Sequence, residues 1–94
     1  MNQLEVLRES LGQCDEIVLD ALLMRNRIVE DIMAYKEAND IPILQPEQEA
    51  KQREWLNRRM EGRRHKDEVT AVFEEITRNC KRIQARKLFD YNIV

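Results

Sequence analysis

Leu4, Leu7, Leu11, Cys14, Val18, Ala21, Arg25, Ile28, Ile32 and Tyr35 follow one another in alternating steps of three and four. Such a seam, held over more than four heptads, belongs to a helix with one face pressed on other helices. Gly12 weakens the pattern by about 1 kcal/mol, which so long a repeat tolerates. The spacing predicts a first helix from about Gln3 to Ala38. Asn39 is its candidate C-terminal cap, and Ile41-Pro42 stops it, because the residue before proline resists helical geometry. At 1.5 Å per residue this helix is about 50 Å long. A compact chain of this size has a radius of gyration near 12 Å. The helix is too long for its own domain to cover, which predicts an intertwined helical homodimer.

The rest of the chain fits a small all-α fold of three helices. Only two glycines and two prolines occur, and no strand-length alternation appears. A second helix should open at Pro46, with Glu47 and Glu49 at the positive end of its dipole, and close at Gly62. Ala50, Trp55, Leu56 and Met60 form its thin apolar stripe. A third helix should open near Asp67 and run to about Leu88. Val69, Val72, Phe73, Ile76, Cys80, Ile83 and Gln84 form its inner face. Residues 1–90 read as one domain. Residues 91–94 change character and leave two readings open, a disordered tail or the first residues of a β-strand.

The chain has 94 residues, and a domain this short buries only about 60–65% of its unfolded surface. Such domains usually need a disulfide, a metal or a partner subunit. Cys14 and Cys80 lie far apart, no Cys-x-x-Cys pair occurs, and His65 is the only histidine. That argues against a metal site and a disulfide framework. Charged residues are 36% of the chain, but the net charge is −2, which argues against nucleic acid. The Arg58-Arg59 and Arg63-Arg64-His65-Lys66 clusters read as solvated surface, without interleaved aromatics. No apolar run approaches the length of a membrane span, and no signal-peptide core opens the chain. A cytoplasmic location is expected.

Polar residues that break the apolar pattern carry the functional reading. Arg25 occupies a core position of the seam, where a guanidinium needs an anion. A structural ion pair would satisfy it, and so would a ligand. Lys36 returns to the same face three turns later, within about 20°. Two long cations can therefore converge on one anion. Arg8 edges the same seam in line with Asp15, Leu22, Val29 and Lys36. It lies about 26 Å from Arg25 along the axis, so one small ligand cannot touch both from the same helix. Gln84 and Cys80 sit one turn apart on the apolar face of the third helix, and a buried glutamine must bond to something.

These residues together resemble a known family. Residues 7–43, LRESLGQCDEIVLDALLMRNRIVEDIMAYKEANDIPI, look like the first-helix signature of the bacterial all-α chorismate mutases. FEEITRNCKRIQ, residues 73–84, resembles that family's last helix, and the similarity covers about residues 4–88. The resemblance implies a homodimer whose sites mix residues of both protomers. It also implies the rearrangement of chorismate to prephenate in phenylalanine and tyrosine biosynthesis, without a cofactor or metal. It assigns Arg8 to a substrate carboxylate from the other protomer and Arg25 to a carboxylate within the chain. Lys36 is implied at the ether oxygen and a carboxylate, Glu49 at the ring hydroxyl and Gln84 as a donor to the ether oxygen. Cys80 stands where a small polar residue, often serine, is common.

Two positions depart from that pattern. Gln48 stands where arginine is usual, and Gln45 where an acidic residue often contacts the hydroxyl region. Loss of the arginine removes a charge-assisted hydrogen bond of about 1.5–3 kcal/mol. Lys51, one turn along, is a candidate substitute. The departure keeps a related reaction open, the splitting of isochorismate into pyruvate and salicylate. A non-catalytic helical dimerisation or regulatory module, and an RNA-binding hairpin, are the readings outside enzymology. The resemblance also implies that a following domain is common, often another enzyme of aromatic amino-acid synthesis. A shikimate-kinase-like nucleotide-binding domain, opening with a strand at residues 91–94, is one candidate for such a fusion.

Overall fold

The computed structural model describes residues 1–43 and 46–93, the side chains of 87–93 excepted. Three helices account for the fold: α1 over Gln3–Ala38, α2 over Pro46–Met60 and α3 over Lys66–Ile93, with no strand among the described residues. The expected start and end of α1 and the Pro46 start of α2 are observed. Asn2 caps α1 by accepting the Glu5 backbone N–H at 2.8 Å, and its side-chain amide lies 3.5 Å from the Glu5 carboxylate. The first of these contacts satisfies a backbone donor that the first turn leaves free.

The C-terminal end of α1 builds part of the site. Asn39 is the cap residue, Asp40 takes a left-handed φ of 54°, and the Ile41 N–H returns to the Lys36 carbonyl at 2.9 Å. This closing bond is the one that glycine commonly supports; here aspartate tolerates the left-handed position. The turn sends the chain back toward the Lys36 side chain. Gly62 takes a φ of 70° after α2, and a Cβ there would meet nothing within 4 Å. Gly62→Ala should therefore reveal the backbone cost alone, roughly 1 kcal/mol. Thermal unfolding should show a midpoint about 4–8 °C lower. An unchanged midpoint would show that the turn relaxes away from that φ.

Two corrections concern α3. It begins at Lys66, one residue before the expected Asp67 cap, behind His65 in a left-handed conformation (φ 63°). It also continues to Ile93, so residues 90–93 are helical and do not open a strand. No glycine or proline follows Gly62 in the sequence, and an established helix adds residues cheaply. Val94 lies outside the described residues.

The helices meet through few side chains. α2 and α3 pair in antiparallel register: Glu49 with Lys81, Gln52 with Thr77 and Trp55 with Phe73. The Trp55 and Phe73 rings sit edge to face at 5.9 Å. Val29 and Met33 of α1 and Leu56 of α2 are the buried hydrophobic side chains among the described residues, and Met33 is fully buried. Val72, expected on the inner face of α3, is instead exposed. On the outer face of α3, Arg78 and Arg82 flank Glu75 and hold its carboxyl below the usual range, mainly through the Arg78 hydrogen bond.

α1 thus carries two stripes, and only one is covered within the chain. Leu22, Arg25, Val29, Met33 and Lys36 are buried or half-buried. The seam residues Leu4, Leu7, Leu11, Val18, Ile28, Ile32 and Tyr35 are all exposed, Leu11 at 61%. The molecule measures 56 × 32 × 15 Å, with a radius of gyration of 17.3 Å against about 12 Å for a compact chain of this length.

Candidate active site

The second half of α1, the residues after it, the first half of α2 and the middle of α3 border a cleft of about 210 Å³. Arg25, Lys36, Gln48, Glu49, Cys80 and Gln84 line it, so six residues singled out from sequence converge on one space. The convergence comes from helical spacing. Arg25 and Lys36 share a face of α1 three turns apart, while Cys80 and Gln84 share a face of α3.

Lys36 anchors the centre. Its ammonium donates to the Ile43 carbonyl at 2.8 Å and to Gln84 Oε1 at 3.4 Å. The chain reversal at Asp40 supplies the first acceptor and α3 the second. Both are neutral, so neither cancels the lysine's charge. Gln84 is buried, and its amide nitrogen donates to Cys80, 3.5 Å from the carbonyl and 3.3 Å from Sγ. The amide thus holds the lysine with its oxygen and spends its nitrogen on Cys80. The sequence expectation had that nitrogen donating to a substrate oxygen.

Arg25 is half-buried, and its Nη1 is buried with no hydrogen-bond partner. No ion pair to Arg25 occurs among the described residues, so the structural salt bridge considered from sequence does not form among them. A buried guanidinium N–H without an acceptor is costly. An anion reaching the cleft would remove that cost.

Glu49 is the carboxylate on the cleft wall, and its Oε1 meets Lys81 Nζ at 2.8 Å. Gln52 and Thr77 also line the cleft. Thr77 Oγ1 lies 3.3 Å from Gln52 Oε1 and 3.0 Å from the Phe73 carbonyl, and its single proton serves one or the other. Arg8 is exposed near the far end of α1 and does not line the cleft. Gln45 lies outside the described residues. Lys51 is exposed and away from the cleft, which corrects its expected role as a substitute for arginine at position 48. Its neighbours on α2 show why: the cleft-facing side of that helix carries Gln48, Glu49 and Gln52.

Comparison with known families now decides the matter: residues 7–85 match the family described as chorismate mutase type II. The chain belongs to this family. Its activity is the isomerisation of chorismate to prephenate, a step of aromatic amino-acid synthesis. No curated protein and no solved structure matches the chain.

The mutase match spans α1, α2 and most of α3, and so contains every described element of the cleft. Sequence reading missed three polar wall residues. Thr77 had a signal: with Cys80 and Gln84 it makes a polar i, i+3, i+7 set on an apolar face. Gln52 follows Gln48 by one turn and was equally accessible. Lys81 had none, because its place on the wall depends on how α2 meets α3.

Proposed function

We propose that this mutase works as a cytoplasmic homodimer, and that the cleft around Lys36 binds chorismate. The observation that carries the reading is Arg25 Nη1, buried and unpartnered in a cleft shared with the Lys36 ammonium. Chorismate is a flexible dicarboxylate that must be held in a chair with its reacting ends together. Arg25 would clamp one carboxylate, lowering the entropic part of the barrier. As the C–O bond breaks, negative charge grows on the ether oxygen. Lys36, already positioned by Ile43 and Gln84, stabilises that charge without reorganising. The Gln84 amide nitrogen can exchange from Cys80 toward the same oxygen, because the thiol sulfur is a weak acceptor and the carbonyl contact is long at 3.5 Å. Glu49 receives the ring hydroxyl.

The dimer is proposed from the uncovered seam of α1 and from Arg8. Burying apolar surface is worth roughly 25 cal/mol per Å², and a row of exposed Leu, Val and Ile side chains is a large unused store of it. A second α1 presents a matching row. Arg8 of a partner subunit could then enter the cleft, which the Arg8 of the same chain cannot reach. A cytoplasmic location is supported by the biosynthetic reaction. No described helix is long and apolar enough to cross a membrane.

Gln48 favours testing a second substrate. It lines the cleft as a neutral side chain where the resemblance led to an arginine, and that departure is what kept isochorismate open as a substrate. The purified protein should consume chorismate, followed by loss of its ultraviolet absorbance, and yield prephenate. Isochorismate should remain unchanged in a parallel cuvette. Pyruvate release from isochorismate would reverse that assignment, and inertness toward both would leave the cleft without its substrate.

A further inference from the structure

We infer that Lys81 is a substrate-binding residue, supplying to a carboxylate of chorismate the positive charge that Gln48 does not provide. The inference rests on the reading of the cleft as the substrate site.

The charge pattern of the wall leads to it. Among its described lining residues, Arg25, Lys36 and Lys81 are the cations and Glu49 is the one carboxylate. The substrate is a dianion. Arg25 faces one of its carboxylates with an unpartnered N–H. Lys36 is held at the centre by Ile43 and Gln84, where the ether oxygen is to lie. The second carboxylate, which the partner subunit's Arg8 would approach from outside the chain, then needs a cation on the side where Gln48 is neutral, and Lys81 is the one left among the described wall residues.

Its present bond does not oppose this. The Lys81–Glu49 pair spans 2.8 Å with side chains 48% and 32% exposed, and solvent makes such pairs weak and exchangeable. An ammonium also carries three donors, of which Glu49 engages one. Lys81 can hold Glu49 and a carboxylate together. It thereby screens Glu49 from the incoming dianion and leaves its other oxygen for a hydroxyl. Cys80 and Gln84, on either side of Lys81 along α3, face the same cleft.

The test is steady-state kinetics of the full chain with chorismate, comparing Lys81→Gln, Lys81→Arg, and Lys81→Gln combined with Gln48→Arg. Circular dichroism checks that each variant is folded. Lys81→Gln should raise KM about 10- to 100-fold, the loss of one charge-assisted bond, with kcat within a few-fold. Lys81→Arg should stay near wild type. Gln48→Arg should return the KM of Lys81→Gln to within a few-fold of wild type, by restoring a cation on the facing helix. An unchanged KM in Lys81→Gln overturns the inference. So does a raised KM that Gln48→Arg leaves raised, because Lys81 would then act only through Glu49. Lys36→Ala, measured alongside, separates this from failure of the site. If it loses turnover while Lys81→Gln keeps its KM, the cleft stands and Lys81 alone is excluded. If Lys36→Ala behaves as wild type, the cleft itself is not the site.

Discussion

Lys36→Ala is expected to lower kcat on chorismate by about 100- to 1000-fold, the usual effect of removing one preorganised donor to a developing oxyanion. The structure explains why the loss should fall on kcat. The ammonium is fixed before substrate arrives, at 2.8 Å from the Ile43 carbonyl and 3.4 Å from Gln84 Oε1. Its acceptors are neutral, so the full charge remains to meet the one that grows on the ether oxygen. An interaction that strengthens between ground state and transition state appears in turnover. The fold should survive the change. Lys36 serves the α1 terminus through its backbone carbonyl, which accepts from Ile41 and Asn39 and is untouched by side-chain truncation. Ultraviolet kinetics with circular dichroism on the same sample make the measurement. A folded variant with near-native kcat would place the chemistry elsewhere.

The length and ends of α1 were legible because heptad spacing, Asn39 and Ile41-Pro42 are local signals. That Arg25, Lys36, Cys80 and Gln84 would share one cleft was legible because polar side chains that break an apolar face at helical spacing must converge on some polar partner. What the spacing could not assign was which stripe meets which neighbour. The seam from Leu4 to Tyr35 and the stripe from Leu22 to Lys36 share Arg25's side of one helix. The packing of α3 covers the second stripe and leaves the first exposed. The end of α3 misled for a different reason. Tyr91 and Ile93 favour strands but Asn92 between them does not, and helix propagation outweighs so short a preference. Lys51 and Lys81 show the limit most plainly. Lys51 is close to Gln48 in sequence and lies off the cleft, whereas Lys81, on another helix, lines it. Only the pairing of Glu49 with Lys81 across α2 and α3 brings that second charge into place.

Mixing two inactive variants should restore activity. Arg8 and Arg25 lie about 26 Å apart along α1, too far for one small molecule to span. If both bind the substrate, each site must take Arg25 from one protomer and Arg8 from the other. Arg8→Ala and Arg25→Ala should each be severely impaired as homodimers, because each lacks one charge-assisted contact at every site. In a mixed dimer the losses segregate. One site receives native Arg25 and native Arg8, and the other receives both alanines. Random reassortment after co-refolding makes about half the dimers mixed, with one intact site of two, so activity should recover to about a quarter of wild type. The recovery should disappear when Leu11→Asp and Ile28→Asp are added to both chains. Those changes place unpaired carboxylates on the seam that a second α1 must cover. An activity that stays at the sum of the two parents would mean that Arg8 does not cross between protomers. The exposed seam would then need a different partner, and Arg25 would meet its anion without help from a second chain.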